Sequence, residues 1–313
     1  LGDYTAPQPD GKVITVRQGL QDKGFQLVPV SEADVIVAVV GGSSSRYEGM
    51  EYKETGAAQT SFSHSLDFSF PDSGEGLDRL SLDLLGHQQA WLDSMERTGK
   101  PLVVIYIEGH PLLKNWAAKH ADALLTAYYP GEQGGAALAD VLCGDANPSG
   151  HIADTYATSS ISAPAMQNFG IYTFTNSSIT DAGILTGDDR ADWYVVETEG
   201  IYVGYKYYET RYEDAILGRA NADSDAGVFA SAGAWDYAAE MSYPFGYGLS
   251  YTTFDQELDS VEFNIGGESS AVVKVTNTGS VAGKDVVQLY AQAPYTEGSL
   301  EKAAIQLVGF AKT

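Results

Sequence analysis

The sequence predicts an α/β fold, with a mostly parallel sheet covered by helices on both faces (an α/β sandwich), followed by a partial all-β sandwich. Three observations predict it. Apolar strand-length runs alternate with helix-spaced segments over residues 11–145. A Gly-, Ser-, Asp- and Tyr-rich stretch with little periodicity fills residues 146–250. Short runs alternating apolar and polar residues begin after Phe254. Strand–helix alternation buries a parallel sheet on both faces, whereas short alternating strands with turns build a sandwich.

Residues 33–40 are a buried-strand run that ends at Gly41 and Gly42. From Leu80 to Arg97, the side chains of Leu80, Leu84, Trp91, Leu92 and Met95 share a broad helical face, and residues 98–101 (Thr-Gly-Lys-Pro) end it. Residues 102–107 read as the next strand, 112–120 as a short helix, 123–128 as a strand and 134–142 as a helix. Ligands of such sheets sit beyond the carboxyl ends of the strands, here from Gly41, Glu108 and Tyr129 onward. Residues 146–250 read as long ordered loops wrapping the sheet domain, because their aromatic content argues against disorder. Strands are expected at 261–265, 271–276 and 285–290, with a turn at 277–280. A full sandwich takes about seven strands. Only a few fit before Thr313, so the sequence predicts a sandwich cut short.

Charge and composition remove several classes of function. With 18 Lys and Arg against 42 Asp and Glu, the net charge is −24, which repels nucleic-acid backbones and leaves neutral ligands unaffected. Cys143 is the single cysteine, so neither an internal disulfide nor a thiolate metal cluster can form within the chain. It closes an apolar helix and reads as a small core residue. No apolar run approaches the roughly 20 residues that span a bilayer, so no membrane segment is expected. The five histidines have no H-x-x-x-H spacing, and neither a metal nor a cofactor is expected. Residues 41–45 (Gly-Gly-Ser-Ser-Ser) lack the lysine of a phosphate loop, and they match neither G-x-G-x-x-G nor G-x-S-x-G.

Carboxylates carry the chemistry. In residues 72–79 (Asp-Ser-Gly-Glu-Gly-Leu-Asp-Arg), Glu75 lies between two glycines just before a helix. Flanking glycines let the backbone turn sharply and the carboxyl project, as a general acid must. Taken alone, the same pattern also describes a solvated surface glutamate.

Four stretches give the sequence a family likeness. They are residues 129–150 (Tyr-Pro-Gly-Glu-Gln-Gly-Gly through Asn-Pro-Ser-Gly), 199–208 (Glu-Gly-Ile-Tyr-Val-Gly-Tyr-Lys-Tyr-Tyr), 243–254 (Tyr-Pro-Phe-Gly-Tyr-Gly-Leu-Ser-Tyr-Thr-Thr-Phe) and 275–290 (Val-Thr-Asn-Thr-Gly-Ser through Val-Val-Gln-Leu-Tyr). In this order they resemble the non-barrel part of family 3 glycoside hydrolases, of β-glucosidase or β-xylosidase type, and the resemblance covers nearly the whole chain. It implies an α/β sandwich domain at 1–160, wrapping loops and a linker at 161–253, and an incomplete fibronectin type III-like domain at 254–313. It also implies a (β/α)8 barrel outside this sequence that carries the nucleophilic Asp. The acid/base role falls to Glu75, since residues 72–76 match the family's Ser-Gly-Glu-Gly-type motif. Leu77 stands where an aromatic residue is common. Glu48, Glu51 and Glu54 are the reserve candidates, and Ser44 and Arg46 line the sugar pocket by position. The implied substrate is an oligosaccharide or aryl β-glycoside. A periplasmic or secreted location is compatible with this reading. The competing readings are a non-catalytic sugar-binding or scaffold module and, more distantly, a nucleotide-binding domain.

Overall fold

The computed structural model describes residues 9, 11–42, 81–167, 197, 199–218, 235–296 and 298–313. They fall into two compact units. The first comprises Leu1–Tyr156, Tyr243–Leu289 and Leu307–Thr313; the second comprises Ala157–Ser242 and Tyr290–Gln306.

In the first unit, β1 (Ile36–Gly41), β2 (Leu102–Ile107) and β3 (Ala123–Thr126) form a three-stranded parallel sheet in that order. Alternation along the strands sorts the core into two layers. Ile36, Ala38, Val40, Leu102, Val104 and Tyr106 face one cluster with Leu92 of α2 (Gln88–Glu96) and Ala117 of α3 (Asn115–His120). Ile105 faces the other with Val16 and Leu20 of α1 (Val16–Asp22) and Leu138 and Ala139 of α4 (Gly134–Cys143), joined by Val37, Val103, Ile107 and Leu125. The predicted arrangement of helices on both faces of a parallel sheet is thus the one observed.

Helix α1 begins at Thr15, whose hydroxyl accepts from the Gln18 N–H at 3.2 Å and caps the first turn. It crosses α4 at a pair of glycines. A Cβ on Gly19 would lie 2.2 Å from the Gly135 carbonyl oxygen, and one on Gly135 would lie 2.1 Å from the Thr15 carbonyl oxygen. Gly135, within the 129–150 stretch, therefore serves helix packing.

The elements depart from their predicted bounds for local reasons. Helix α2 starts at Gln88 instead of Leu80 because Gly86 is left-handed, with φ 61°, and because the Leu82 carbonyl accepts from the Leu113 N–H at 2.8 Å. Leu92 is buried and Met95 packs beside it, whereas Trp91 is exposed. Helix α3 starts at Asn115 instead of Leu112 because residues 112–114 are committed to other bonds, described below. Strand β1 begins at Ile36 because a 3-10 turn occupies Val30–Glu32. Strand β3 stops at Thr126 because Tyr128 turns left-handed, with φ 50°. Cys143 is exposed, contrary to the core placement expected of it: α4 turns its buried side to Leu138 and Ala139, and the chain leaves through left-handed Gly144.

Three of the four sequence stretches contain residues that meet around Asn147. Its side-chain oxygen accepts from the Ser250 hydroxyl at 2.9 Å and the Tyr251 N–H at 2.8 Å, and its amide donates to the Ala282 carbonyl at 3.0 Å. Thr252 then donates to the Asn277 side chain at 2.7 Å. Beyond this clasp, strands β4 (Phe254–Glu262) and β5 (Ser270–Asn277) pair antiparallel, with an irregularity between Leu258 and Ser260, and β6 (Val286–Ala291) pairs with β7 (Gln306–Lys312). The first of these strands lies earlier than the predicted 261–265, because residues 264–267 close the turn into β5. Leu258, Phe263, Ile265, Val308 and Phe310 are all exposed, Ile265 at 95%. Two-stranded pairs with an uncovered apolar face have little independent stability. Hydrogen exchange of the purified chain is expected to show residues 254–277 exchanging well ahead of β2. Equal protection of the two regions would contradict this.

The second unit packs around Tyr202, Tyr207 and Tyr208, with Trp235, Tyr237 and Ala303 against them. Its main helix, α6 (Tyr205–Ala215; α5 is Pro164–Gln167), corrects the reading of 146–250 as loops. The helix buries tyrosines in place of aliphatic residues, so its period was hidden from an aliphatic pattern. Polar bonds pin it: the Tyr208 hydroxyl to Ser162 at 3.1 Å, the Tyr237 hydroxyl to Glu209 at 2.6 Å, and the Ala304 N–H to the Thr210 hydroxyl at 2.9 Å.

Candidate active site

The carboxyl ends of β1, β2 and β3 converge on one edge of the first unit. Strand β1 ends at Gly41, whose backbone passes so close to β2 that a Cβ would fall 1.8 Å from the Ile107 carbonyl oxygen. The next N–H, of Gly42, donates to that carbonyl at 3.1 Å. The Gln88 side chain fixes the same point from the other side: its carbonyl oxygen accepts from the Gly41 N–H at 2.8 Å, and its amide donates to the Gly41 carbonyl at 2.9 Å. Ahead of α2, the Leu82 carbonyl accepts from the Leu113 N–H at 2.8 Å, which ties residues 81–82 to the segment following β2. Gly42 and Leu82, the described residues on either side of residues 43–80 in the sequence, are therefore both bonded to the end of β2 or to the segment that follows it.

Glu75, Ser44, Arg46, Glu48, Glu51 and Glu54 all lie outside the described residues. The structure describes the residues that flank them in sequence, up to Gly42 and from Ser81.

At the end of β2 sits a buried ionic network that sequence reading missed. Glu108 is fully buried and Lys114 is 2% exposed. The Lys114 ammonium donates to Glu108 Oε1 at 2.6 Å and to the Leu112 carbonyl at 3.2 Å, and it lies over the rings of Tyr106 and Tyr156 at 4.3 and 4.2 Å. The Tyr156 hydroxyl donates to Glu108 Oε1 at 3.1 Å, and the Leu112 N–H donates to Oε2 at 3.2 Å. Burial pulls the Lys114 ammonium down to about 8, against the opposing pull of the Glu108 charge. Burial likewise raises the Tyr156 hydroxyl well above its usual range, with Glu108 and a hydrogen bond to Tyr128 adding to the rise. The only signal in the sequence is an acidic residue ending an apolar strand with a lysine six positions later. With both oxygens engaged and no exposure, Glu108 has no route to a substrate and is not a candidate acid.

Among the described residues, no group of three or more His, Cys, Asp or Glu side chains could hold a metal ion, and no helix is long and apolar enough to cross a membrane.

Residues 1–251 match the glycosyl hydrolase family 3 C-terminal domain. The chain belongs to this family. Among curated relatives, a β-glucosidase B of Emericella nidulans is 34% identical over 241 residues, covering 76% of this chain and 24% of the relative. A periplasmic β-glucosidase of Salmonella typhimurium is 30% identical over 298 residues, covering 94% of this chain and 29% of the relative. The family 3 chain thus spans less than a third of the length of either relative. A solved β-glucosidase of Kluyveromyces marxianus in complex with glucose superposes with a TM-score of 0.61 at 25% identity, over 95% of this chain and 26% of that one. The α/β sheet followed by antiparallel strands is accordingly a fold that this chain shares with part of that β-glucosidase.

Proposed function

We propose that this chain is the second-domain part of a retaining, exo-acting β-glycosidase, most simply a β-glucosidase, and that it supplies the general acid/base. The Ser-Gly-Glu-Gly sequence at residues 73–76 falls in the chain between Gly42 and Leu82, which are bonded to the end of β2 and to the segment that follows it, and this is the observation that supports the reading. Glu75 protonates the leaving oxygen while an Asp on a (β/α)8 barrel attacks the anomeric carbon. Glu75 then takes a proton from the water that hydrolyses the glycosyl-enzyme. In retaining enzymes the two carboxyls sit about 5–5.5 Å apart. The neighbouring nucleophile and loss of solvent raise the acid's pKa, so that it holds its proton near neutral pH. Ser44 and Arg46 bind the terminal sugar through hydroxyl and guanidinium hydrogen bonds, and the substrate is an oligosaccharide or aryl β-glycoside. Neutral substrates of this kind tolerate a net charge of −24.

The 313 residues alone are expected to release no p-nitrophenol from p-nitrophenyl β-glucoside, whereas a protein joining them to the barrel hydrolyses it. Turnover by the purified chain above an empty-vector control would contradict the division of carboxylates proposed here.

A further inference from the structure

We propose that Tyr128 and Tyr129 form an aromatic platform for one face of a pyranose ring, held in place by the buried network of Glu108, Lys114 and Tyr156. The choice of a sugar as ligand rests on the glycosidase reading above; the platform itself rests on geometry. Both tyrosines follow β3 at the carboxyl edge of the sheet, with 44% and 53% of their surface exposed. Tyr128 is the one non-glycine among the described residues with a positive φ, 50°, a conformation that a bulky side chain rarely adopts unless its surroundings impose it. Those surroundings are present. The Tyr128 carbonyl accepts from the Glu108 N–H at 3.2 Å, and its hydroxyl pairs with that of Tyr156, which in turn donates to the salt-bridged Glu108.

The Tyr129 ring lies directly on Gly109, where a Cβ would come within 2.4 Å of the ring. Backbone thus covers part of this ring while half of the residue stays open. A tyrosine that merely meets solvent needs no such tether. Rigid aromatic surface with few polar groups is what small-ligand sites present, and holding it fixed beforehand lowers the cost of binding. Among the described residues of the network the one ammonium is buried and not presented to the platform, and an uncharged ring with C–H faces suits such an aromatic surface.

Saturation-transfer NMR on the 313-residue chain with millimolar methyl β-D-glucopyranoside and cellobiose tests this, with acyclic glucitol as control. Transfer to the ring protons of both glycosides is expected, with none to glucitol. A variant carrying Tyr128→Ala and Tyr129→Ala should lose it by about tenfold or more while keeping its thermal melt. Tyr156→Phe retains the ring and removes the tether, and should weaken transfer several-fold in a folded protein. Equal transfer in the parent and the double variant, or none in the parent, overturns the platform; parent-like transfer in Tyr156→Phe overturns the tether. If the barrel-joined protein hydrolyses β-glucosides while the chain shows no transfer, the platform fails and the glycosidase reading stands. Transfer without hydrolysis leaves the platform standing and sinks the glycosidase reading.

Discussion

Replacing Lys114 by Met while Glu108 remains is expected to cost about 3–5 kcal/mol, the usual cost of breaking a buried ion pair from one side. The Glu108 carboxylate would be left fully buried, with only the Tyr156 hydroxyl and the Leu112 N–H as partners among the described residues. Glu108→Gln should cost less, because burial already holds the Lys114 ammonium down to about 8 and the stranded amine can shed its proton near neutral pH. Combining Glu108→Leu with Lys114→Met should recover most of the loss, since an apolar pair has no charge to desolvate. Urea unfolding of the parent and these variants, with Glu108→Leu alone completing the cycle, gives the coupling directly. Additive single losses would contradict the pairing.

The pair also fixes a pH dependence. Lys114 titrates near 8 when folded and near 10.5 when unfolded. Below about pH 8 both states hold the proton, and the buried charge costs stability in full. Between 8 and 10.5 the folded protein has released the proton while the unfolded chain still holds it, so the cost of the buried charge is relieved progressively across that window. Because the unfolded state binds more protons there, stability rises with pH. Relative to Lys114→Met, the parent should therefore gain stability between about pH 8 and pH 10.5. A constant difference would show that Lys114 keeps an ordinary pKa.

The second large effect concerns Glu75. In the barrel-joined protein, Glu75→Gln should slow hydrolysis of natural disaccharides by about 10²–10⁴-fold, the usual worth of general acid–base catalysis. Aryl glycosides with activated leaving groups need no protonation and should still form the glycosyl-enzyme, which then accumulates because no base activates water. The loss should grow with the pKa of the leaving group across an aryl glucoside series. The same loss for every substrate would assign Glu75 to binding or folding instead.

The parallel sheet was legible because Val, Ile and Leu runs at 33–40 and 102–107 admit few other readings, and the helices α2 and α4 because their apolar faces recur at helical spacing. Boundaries were less legible, since they depend on partners distant in sequence: Leu82 with Leu113 delays α2, and the Lys114 contact with Leu112 delays α3. Helix α6 was hidden because its packing face is aromatic and its bonds reach Ser162 and Ala304. Of the site, Glu75 is a motif that a local stretch of sequence displays by itself. The network of Glu108, Lys114 and Tyr156 is assembled across 48 positions, and the acidic strand end with a lysine six positions later does not announce the distant tyrosine. Residues 129–150 carry both kinds of information, since Gly135 is required by the crossing of α1 and α4 while Asn147 is required by the strands after Phe254.

The most direct test of the central claim is the product formed when Glu75→Gln, in the barrel-joined protein, turns over an activated aryl β-glucoside in the presence of azide. Azide needs no base, so it should attack the accumulated glycosyl-enzyme, restore turnover and give a β-glucosyl azide, identified by the anomeric proton in NMR. The same substitution at Glu48, Glu51 or Glu54 should give no azide product and leave hydrolysis of disaccharides close to the parent. Rescue at one of those three positions, with Glu75→Gln nearly as active as the parent, would contradict the assignment of the acid/base to Glu75.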